Sequence, residues 1–483
     1  MRVHIGAQVR CTAIDSISWS SCDEEMQLKR DIHMQAFDLI VIGSGTVGST
    51  VATACRSAGW TVAVIDSLPF GGTCALRGCD PKKVLLGVAE LVDWAHRMKG
   101  KHVINGDLEI DWPGLMQFKR SFTEPVPDHK EASFEQAGIS VFHGRAKFIG
   151  PNAVELEGQR LEARHFVIGT GATPANLKIL GQEYLVDSTM FMELESLPEE
   201  IVFVGGGYIA MEFAHLATRA GSKVTVLHRG ARILEGFDED IVSRLADATA
   251  ALGVAIHTET SVEAIEKIAN GRFVITAKQQ DTSITFECDL AVHGAGRVPD
   301  LEDLAVEAAE VAREKRGVTV NEYLQSVTNP AIYSGGDAAA TAGLPLTPVA
   351  GYDGKLIADN LLKGNHLKTE YRSIPSVVFT IPPLASVGMS QQEAEQKGLK
   401  FRITHSEMDS WYSNRRVAAK TAAFKVLIEE GTERILGAHL LGPGMEETIN
   451  LFTMAIRFDL NVPQLKQVLF AYPTHASDIE YML

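Results

Sequence analysis

The feature that most constrains the fold is a unit that occurs twice: an apolar run, a glycine-rich turn, a stretch with helical apolar spacing, and a second apolar run. The first copy reads FDLIVIGSGTVGSTVATACRSAGWTVAVID from Phe37 to Asp66, and the second reads IVFVGGGYIAMEFAHLATRAGSKVTVLHR from Ile201 to Arg229. A strand, a crossover helix and a second parallel strand close in one hand only. Such a chain builds open parallel sheets covered by helices on both faces.

The glycines in these turns have separate tasks. One permits the tight turn, one lets backbone approach a pyrophosphate, and one lets helix and strand pack closely, while the helix N-terminus holds the phosphates. Gly43, Gly45 and Gly48 fill these positions in the first copy; Gly205, Gly207 and Ala210 fill them in the second. A lone glycine turn of this kind is weak evidence, but here both copies carry the full strand and helix context. Asp66 ends the first unit and suits an acceptor for ribose hydroxyls, so the first site fits FAD or NAD. His228 and Arg229 stand there in the second unit, with Arg232 close by. A guanidinium at that place pairs with a 2′-phosphate, which favours NADPH over NADH; a solvated basic strand end is the bland reading.

With 483 residues, 45% hydrophobic and 22% charged, the chain has room for about three domains. A net charge of −16 argues against nucleic acid or anionic membrane as the main partner, since both call for clustered Lys and Arg. No apolar run approaches the roughly 18 residues of a membrane span, and the first 33 residues lack a secretory signal's apolar core. A cytoplasmic protein with a poorly ordered N-terminal extension is expected. Six cysteines are too few for a disulfide scaffold, and Cys11, Cys22, Cys55 and Cys288 have no partner at a telling spacing.

Cys74 and Cys79 differ from those four. In FGGTCALRGCDPKKVLLG they stand five apart at the mouth of an apolar-periodic helix running to about His96. Positive helix-end charge together with Lys82 and Lys83 lowers a thiol pKa there and holds a thiolate. Metal binding is disfavoured because no second close cysteine pair or histidine cluster supplies further ligands.

This segment resembles the redox-disulfide signature of the pyridine nucleotide-disulfide oxidoreductases, the flavoenzymes that include glutathione, dihydrolipoamide and mercuric reductases. The likeness covers nearly everything after residue 35, with further landmarks in order: VIGTGATP at 167–174, HGAGRVPD at 293–300, TNPAIYSGGDAA at 328–339 and LTPVAGYDGK at 346–355. The resemblance implies an α/β fold with two Rossmann-like domains, for FAD and for NAD(P)H, and a C-terminal α+β dimerisation domain. Its boundaries would be an extension over 1–35, FAD-binding segments 36–182 and 298–372, an NAD(P)H-binding insertion 183–297 and a dimerisation domain 373–483. It implies that Cys79 is the flavin-proximal thiolate and Cys74 the exchanging thiol. Lys83 would sit by the flavin, paired with Glu212; Asp337 would bind the ribityl chain, and Tyr208 would gate the nicotinamide. Gly72, Thr73, Gly171, Gly296 and Arg297 belong to the same cofactor-binding landmarks. A homodimer sharing its active sites is expected.

Two departures from the pattern bear on the acceptor. Thiol reductases of the family carry His-Pro-Thr near the C-terminus, whereas this chain reads AYPTHASD, with Tyr472 in the histidine's place and His475 three residues on. A phenol with a pKa of about 10 is a poor base near neutrality. Mercuric reductases place a tyrosine in this neighbourhood, yet the chain ends SDIEYML without a vicinal cysteine pair. The expected activity passes electrons from NADPH through FAD to Cys74 and Cys79 and on to a small thiol-derived or other soft acceptor. Metal-ion or quinone reduction, or a flavin sensor that does not turn over, are the other readings. The run DSWYSNRR, with Trp411, Tyr412, Arg415 and Arg416, is taken as packing rather than a ligand box.

Overall fold

The computed structural model describes residues 34–483, so most of the expected extension, with Cys11 and Cys22, lies outside the described residues. The first repeat unit forms the centre of a sheet whose strands run in the order Ser140–His143, Val62–Asp66, Met34–Ile42, Gln159–Ile168, Ala153–Leu156, Lys147–Gly150. Its first three pairings are parallel, and Ile332–Ser334 adds in parallel beside Phe166–Ile168. Because side chains alternate across a strand, the central strands feed two cores. Leu39, Val41, Val62 and Val64 pack with Val47, Val51 and Ile357 on one face, while Ile40, Ile42, Ala63 and Ile65 pack with Phe148 and Phe166 on the other. Burying each such side chain contributes about 1.5–3 kcal/mol, which is why the strands read as continuous apolar runs.

The second unit repeats the scheme in a four-stranded parallel sheet ordered Ala255–His257, Lys223–Leu227, Glu200–Val204, Leu290–His293. Ile201, Phe203, Val224 and Val226 pack on the helix Tyr208–Arg219, and Val202, Leu227 and Ala291 pack beneath a three-stranded antiparallel sheet spanning 260–288. A two-stranded ribbon joins Ala172–Pro174 to Arg297–Pro299 where the chain leaves the first sheet region and where it returns.

The last segment is antiparallel, five strands in the order Ser376–Val378, Leu384–Gly388, Ile435–Leu441, Ala423–Glu429, Phe401–Glu407. Phe424, Val426, Ala438 and Leu440 face the helix Met445–Arg457 through Ile449 and Phe452. Trp411 packs inside this domain, its ring 5.7 Å from Phe424 and 6.0 Å from Tyr481. Among the described residues no helix is long and apolar enough to cross a membrane.

Candidate active site

A cleft of about 1040 Å³ runs from the first glycine turn, past the cysteine pair, to the entrance of the helix Tyr208–Arg219. That volume is at the upper end of ordinary ligand cavities, roughly 300–1,000 Å³, and suits a molecule longer than a mononucleotide. At the turn, a Cβ on Gly48 would stand 1.8 Å from the Gly43 carbonyl oxygen, so only glycine allows helix and strand to meet there. Asp66 is already oriented: one carboxylate oxygen accepts from Ser44 N at 2.8 Å and Ser44 Oγ at 2.7 Å, the other from Leu68 N at 2.9 Å. Thr170 Oγ1 is buried in the cleft lining without a partner among the described residues. An unsatisfied buried hydroxyl beside a glycine cradle is what a polar ligand would complete. FAD therefore fits the residues present.

The cysteines do not share one helix. Cys74 lies in the short helix Gly72–Arg77, and Cys79 is the first residue of the helix Cys79–Lys99. Gly78, with non-helical φ −145° and ψ −114°, separates the two, and a Cβ there would come 2.8 Å from the Thr73 carbonyl oxygen. Periodicity reads only the long helix. Both thiols are free, and they are held differently. The Cys79 pKa is lowered to about 6, first by the hydrogen bond from Cys74, then by Thr347, Lys82 and Lys83, against the opposing effect of burial. Thr347 Oγ1 lies 3.4 Å from Cys79 Sγ. Cys74 shifts upward, because it donates to Cys79 and because it is half-buried. The pair thus keeps one proton on Cys74 and the charge on Cys79.

Glu212, 1% exposed, binds two ammonium groups at once: Lys82 Nζ at 2.7 Å and Lys83 Nζ at 3.0 Å. Desolvation alone would raise the Glu212 pKa, but the two lysines outweigh it and hold it low; Phe379 N adds a hydrogen bond of 2.9 Å. One carboxylate cannot neutralise both cations. Lys83 is accordingly lowered, first by burial and then by its neighbour Lys82, despite Glu212. The family resemblance implies Lys83 as the flavin-side lysine, yet Lys82 is the more buried, at 8% against 31% for the Lys83 side chain, and both line the cleft. Two adjacent lysines gave no sequence signal to separate them. Thr347 stands in the LTPVAGYDGK landmark, but its reach to Cys79 leaves no signal in that run.

Tyr208 opens the second helix with its ring 5.0 Å from Lys82 Nζ, and desolvation pushes its pKa up to about 12. Asp337 lines the cleft and is raised by burial against the pull of Arg297. Gly43, Gly45, Gly72, Thr73, Gly171 and Arg297 line the cleft too, with the Arg297 guanidinium donating to the Ala172 carbonyl oxygen. At the second glycine turn, Gly205 and Gly207 precede Ala210, fully buried, and His228 Nδ1 accepts from Gly206 N at 3.1 Å. Arg229 is exposed and makes no ion pair or hydrogen bond among the described residues. Arg232 is committed elsewhere, donating to the carbonyls of Phe237 and Glu235 at 2.9 Å each. Gly296 has a positive φ of 107° beside this turn.

The structure does not bring Tyr472 or His475 to the cleft of the same chain. Tyr472 is 79% exposed, whereas His475 is lowered by burial, its Nδ1 4.0 Å from Asp478 Oδ2.

Residues 37–354 match the pyridine nucleotide-disulphide oxidoreductase family, and residues 374–483 match that family's dimerisation domain. This chain belongs to the pyridine nucleotide-disulphide oxidoreductases. It is 31% identical over 443 residues to a glutathione reductase of Burkholderia cepacia, covering 92% of this chain and 97% of that one. It is 29% identical over 452 residues to a mercuric reductase of Staphylococcus aureus, covering 92% and 81%. Among solved structures, the HOCl-induced flavoprotein disulfide reductase RclA from Escherichia coli superposes with a TM-score of 0.81 at 27% identity, over 93% of this chain and 99% of that one. As a pyridine nucleotide-disulphide oxidoreductase, the protein is a flavin-dependent enzyme that passes electrons from a pyridine nucleotide through FAD to a disulfide centre.

Proposed function

We propose that this enzyme draws electrons from NADPH, uses Cys79 as the thiolate next to the flavin and Cys74 as the exchanging thiol, and reduces a small disulfide or another soft acceptor as a cytoplasmic homodimer. The observation that carries the reading is the unequal setting of the cysteine pair: Cys79 opens the helix Cys79–Lys99, where the Cys74 hydrogen bond, Thr347 Oγ1 3.4 Å from its sulfur, Lys82 and Lys83 hold its pKa low, while Cys74 beside it is pushed up. Only a thiolate donates into flavin or attacks a disulfide, so one of the two must hold charge at neutral pH.

When bound, FAD would supply the step between hydride chemistry and thiol chemistry. The residues of the chain do the rest. Gly43, Gly45 and Gly48 with the following helix would hold the pyrophosphate, Asp66 the ribose and Asp337 the ribityl chain. Lys82 and Lys83, fixed by Glu212, keep positive charge beside Cys79. Tyr208 covers the second helix entrance, and exposed Arg229, free of other partners among the described residues, suits a 2′-phosphate. His475 and Tyr472 would reach an active site only from another subunit.

The test is anaerobic titration of the purified yellow protein with NADPH, followed by disulfides. Uptake beyond the flavin's two electrons, with turnover abolished in both Cys79→Ser and Cys74→Ala, is the expected result. Turnover retained in Cys74→Ala would transfer the chemistry to the flavin itself. A soft metal cation is the second acceptor to try, because relatives carry the name mercuric reductase and RclA has been solved as a Cu(II) complex.

A further inference from the structure

Asp80 occupies the position between Cys79 and Pro81, one residue into the long helix, and is exposed. Its Oδ1 lies 3.8 Å from Cys74 Sγ. The side chain makes no ion pair among the described residues, although two lysines follow it within three positions. Those lysines are turned inward to Glu212. Between them, Glu212 and the Cys79 thiolate cancel the two ammonium charges, and Arg77 makes no ion pair with Asp80 among the described residues. Among the described residues, the carboxylate of Asp80 is therefore an uncompensated charge at the sulfur that meets the acceptor.

We propose that Asp80 is a specificity-determining residue that selects the acceptor by charge, favouring cationic and neutral acceptors at Cys74 and disfavouring anionic disulfides. This inference rests on the proposed exchange at Cys74. In that exchange the Cys74 sulfur, as thiolate, attacks one sulfur of an acceptor RS–SR. An S–S bond to Cys74 forms, the acceptor's own S–S bond breaks, and the first RS⁻ leaves to take up the proton given up by Cys74. Cys79 thiolate then attacks the Cys74 sulfur, forming the Cys74–Cys79 disulfide and releasing the second RS⁻, which is protonated from solvent. The acceptor gains two electrons and the cysteine pair loses them. During the attack the entering molecule passes within a few ångströms of Asp80, a range at which a unit charge still acts in an exposed setting and is screened by added salt. A negative acceptor must approach both this carboxylate and the thiolate; a positive one is drawn to both. Like-charge placement of this kind is a repulsive device that sets specificity.

The experiment is a charge ladder of small disulfides run on the FAD-loaded enzyme with NADPH: cystamine as the dication, bis(hydroxyethyl) disulfide as the neutral member and dithiodipropionate as the dianion. The wild type is expected to favour cystamine over dithiodipropionate in kcat/KM by about tenfold or more at low salt, with the gap shrinking as salt is added. Asp80→Asn should flatten the ladder, mainly by improving the dianion, while Asp80→Glu retains it. A second readout needs no turnover: alkylation of Cys74 in the reduced protein by iodoacetate, relative to neutral iodoacetamide, should speed up about three- to tenfold in Asp80→Asn. An unchanged ladder and unchanged alkylation ratio in Asp80→Asn, with turnover intact, would overturn the inference alone and leave Asp80 as a helix-start acid. Loss of all disulfide turnover in the wild type, with no electrons stored beyond the flavin, would overturn the exchange reading and this inference with it.

Discussion

At the scale of single residues, the chemistry depends on how two identical thiols are made unequal. Cys79 receives the Cys74 hydrogen bond, Thr347 and two ammonium groups; Cys74 receives partial burial and the neighbouring negative charges. In the reduced protein, iodoacetamide should alkylate Cys79 with a midpoint near pH 6, against about 8.5 for a free thiol. Cys74→Ala removes the largest cause of that depression and should move the midpoint upward; a midpoint that stays put would mean the helix start and lysines suffice. The sign for stability follows from the same shift. A depressed thiol pKa stabilises the fold fully above the unfolded value and loses that contribution as pH falls through about 6, so reduced protein should lose denaturant resistance between those limits relative to Cys79→Ser. Glu212→Ala leaves two ammonium groups facing an apolar surround; with Lys82 buried, a loss of about 3 kcal/mol is expected in urea unfolding.

At the scale of elements, the domains meet through charges buried between them as well as through apolar packing. Lys425, on a strand of the C-terminal sheet and 5% exposed, reaches Asp238 at 3.0 Å and Asp240 at 2.6 Å at the start of the helix Glu239–Ala251. Burial opposes its charge, yet the two carboxylates win and raise its pKa. Asp240 is 53% exposed, so that half of the contact is worth little. Asp238 is 4% exposed and also caps the helix, so it cannot leave. Lys425→Ala should therefore cost about 2–3 kcal/mol, measured as a lower urea midpoint, and Asp240→Ala less than about 1. Equal effects would show that the exposed carboxylate carries the contact. This tie was invisible in the sequence, because Lys425 and Asp238 are far apart in the chain and neither stands in a motif.

At the scale of the whole molecule, the C-terminal domain exposes Leu469 at 99%, Val468 at 48%, Tyr472 at 79% and Tyr481 at 71%. Large apolar groups left exposed on a folded domain, three of them within the five residues 468–472, mark a surface that another chain covers, and this domain matches the family's dimerisation module. Leu469→Asp should shift the protein from dimer to monomer in sedimentation velocity while leaving its fold intact. If Tyr472 and His475 act across that contact, the same variant should lose disulfide turnover but keep the thiol titration of Cys79, which depends only on groups in one chain.

How much of this was legible beforehand follows from the range of the forces involved. The two glycine turns, the parallel sheets, the cysteine pair and the acid ending the first unit are local patterns, set by backbone sterics and alternation, and a sequence displays them directly. The family landmarks added Glu212 as the distant partner of a lysine, a pairing no spacing reveals. Tertiary structure decided the rest: that Lys82 shares Glu212 with Lys83, that Thr347 reaches Cys79, that Arg232 is tied to loop carbonyls while Arg229 stands free among the described residues, and that Asp80 turns to Cys74. Each of these depends on which side chains meet across the fold and how much water is left between them, and neither quantity is written along the chain.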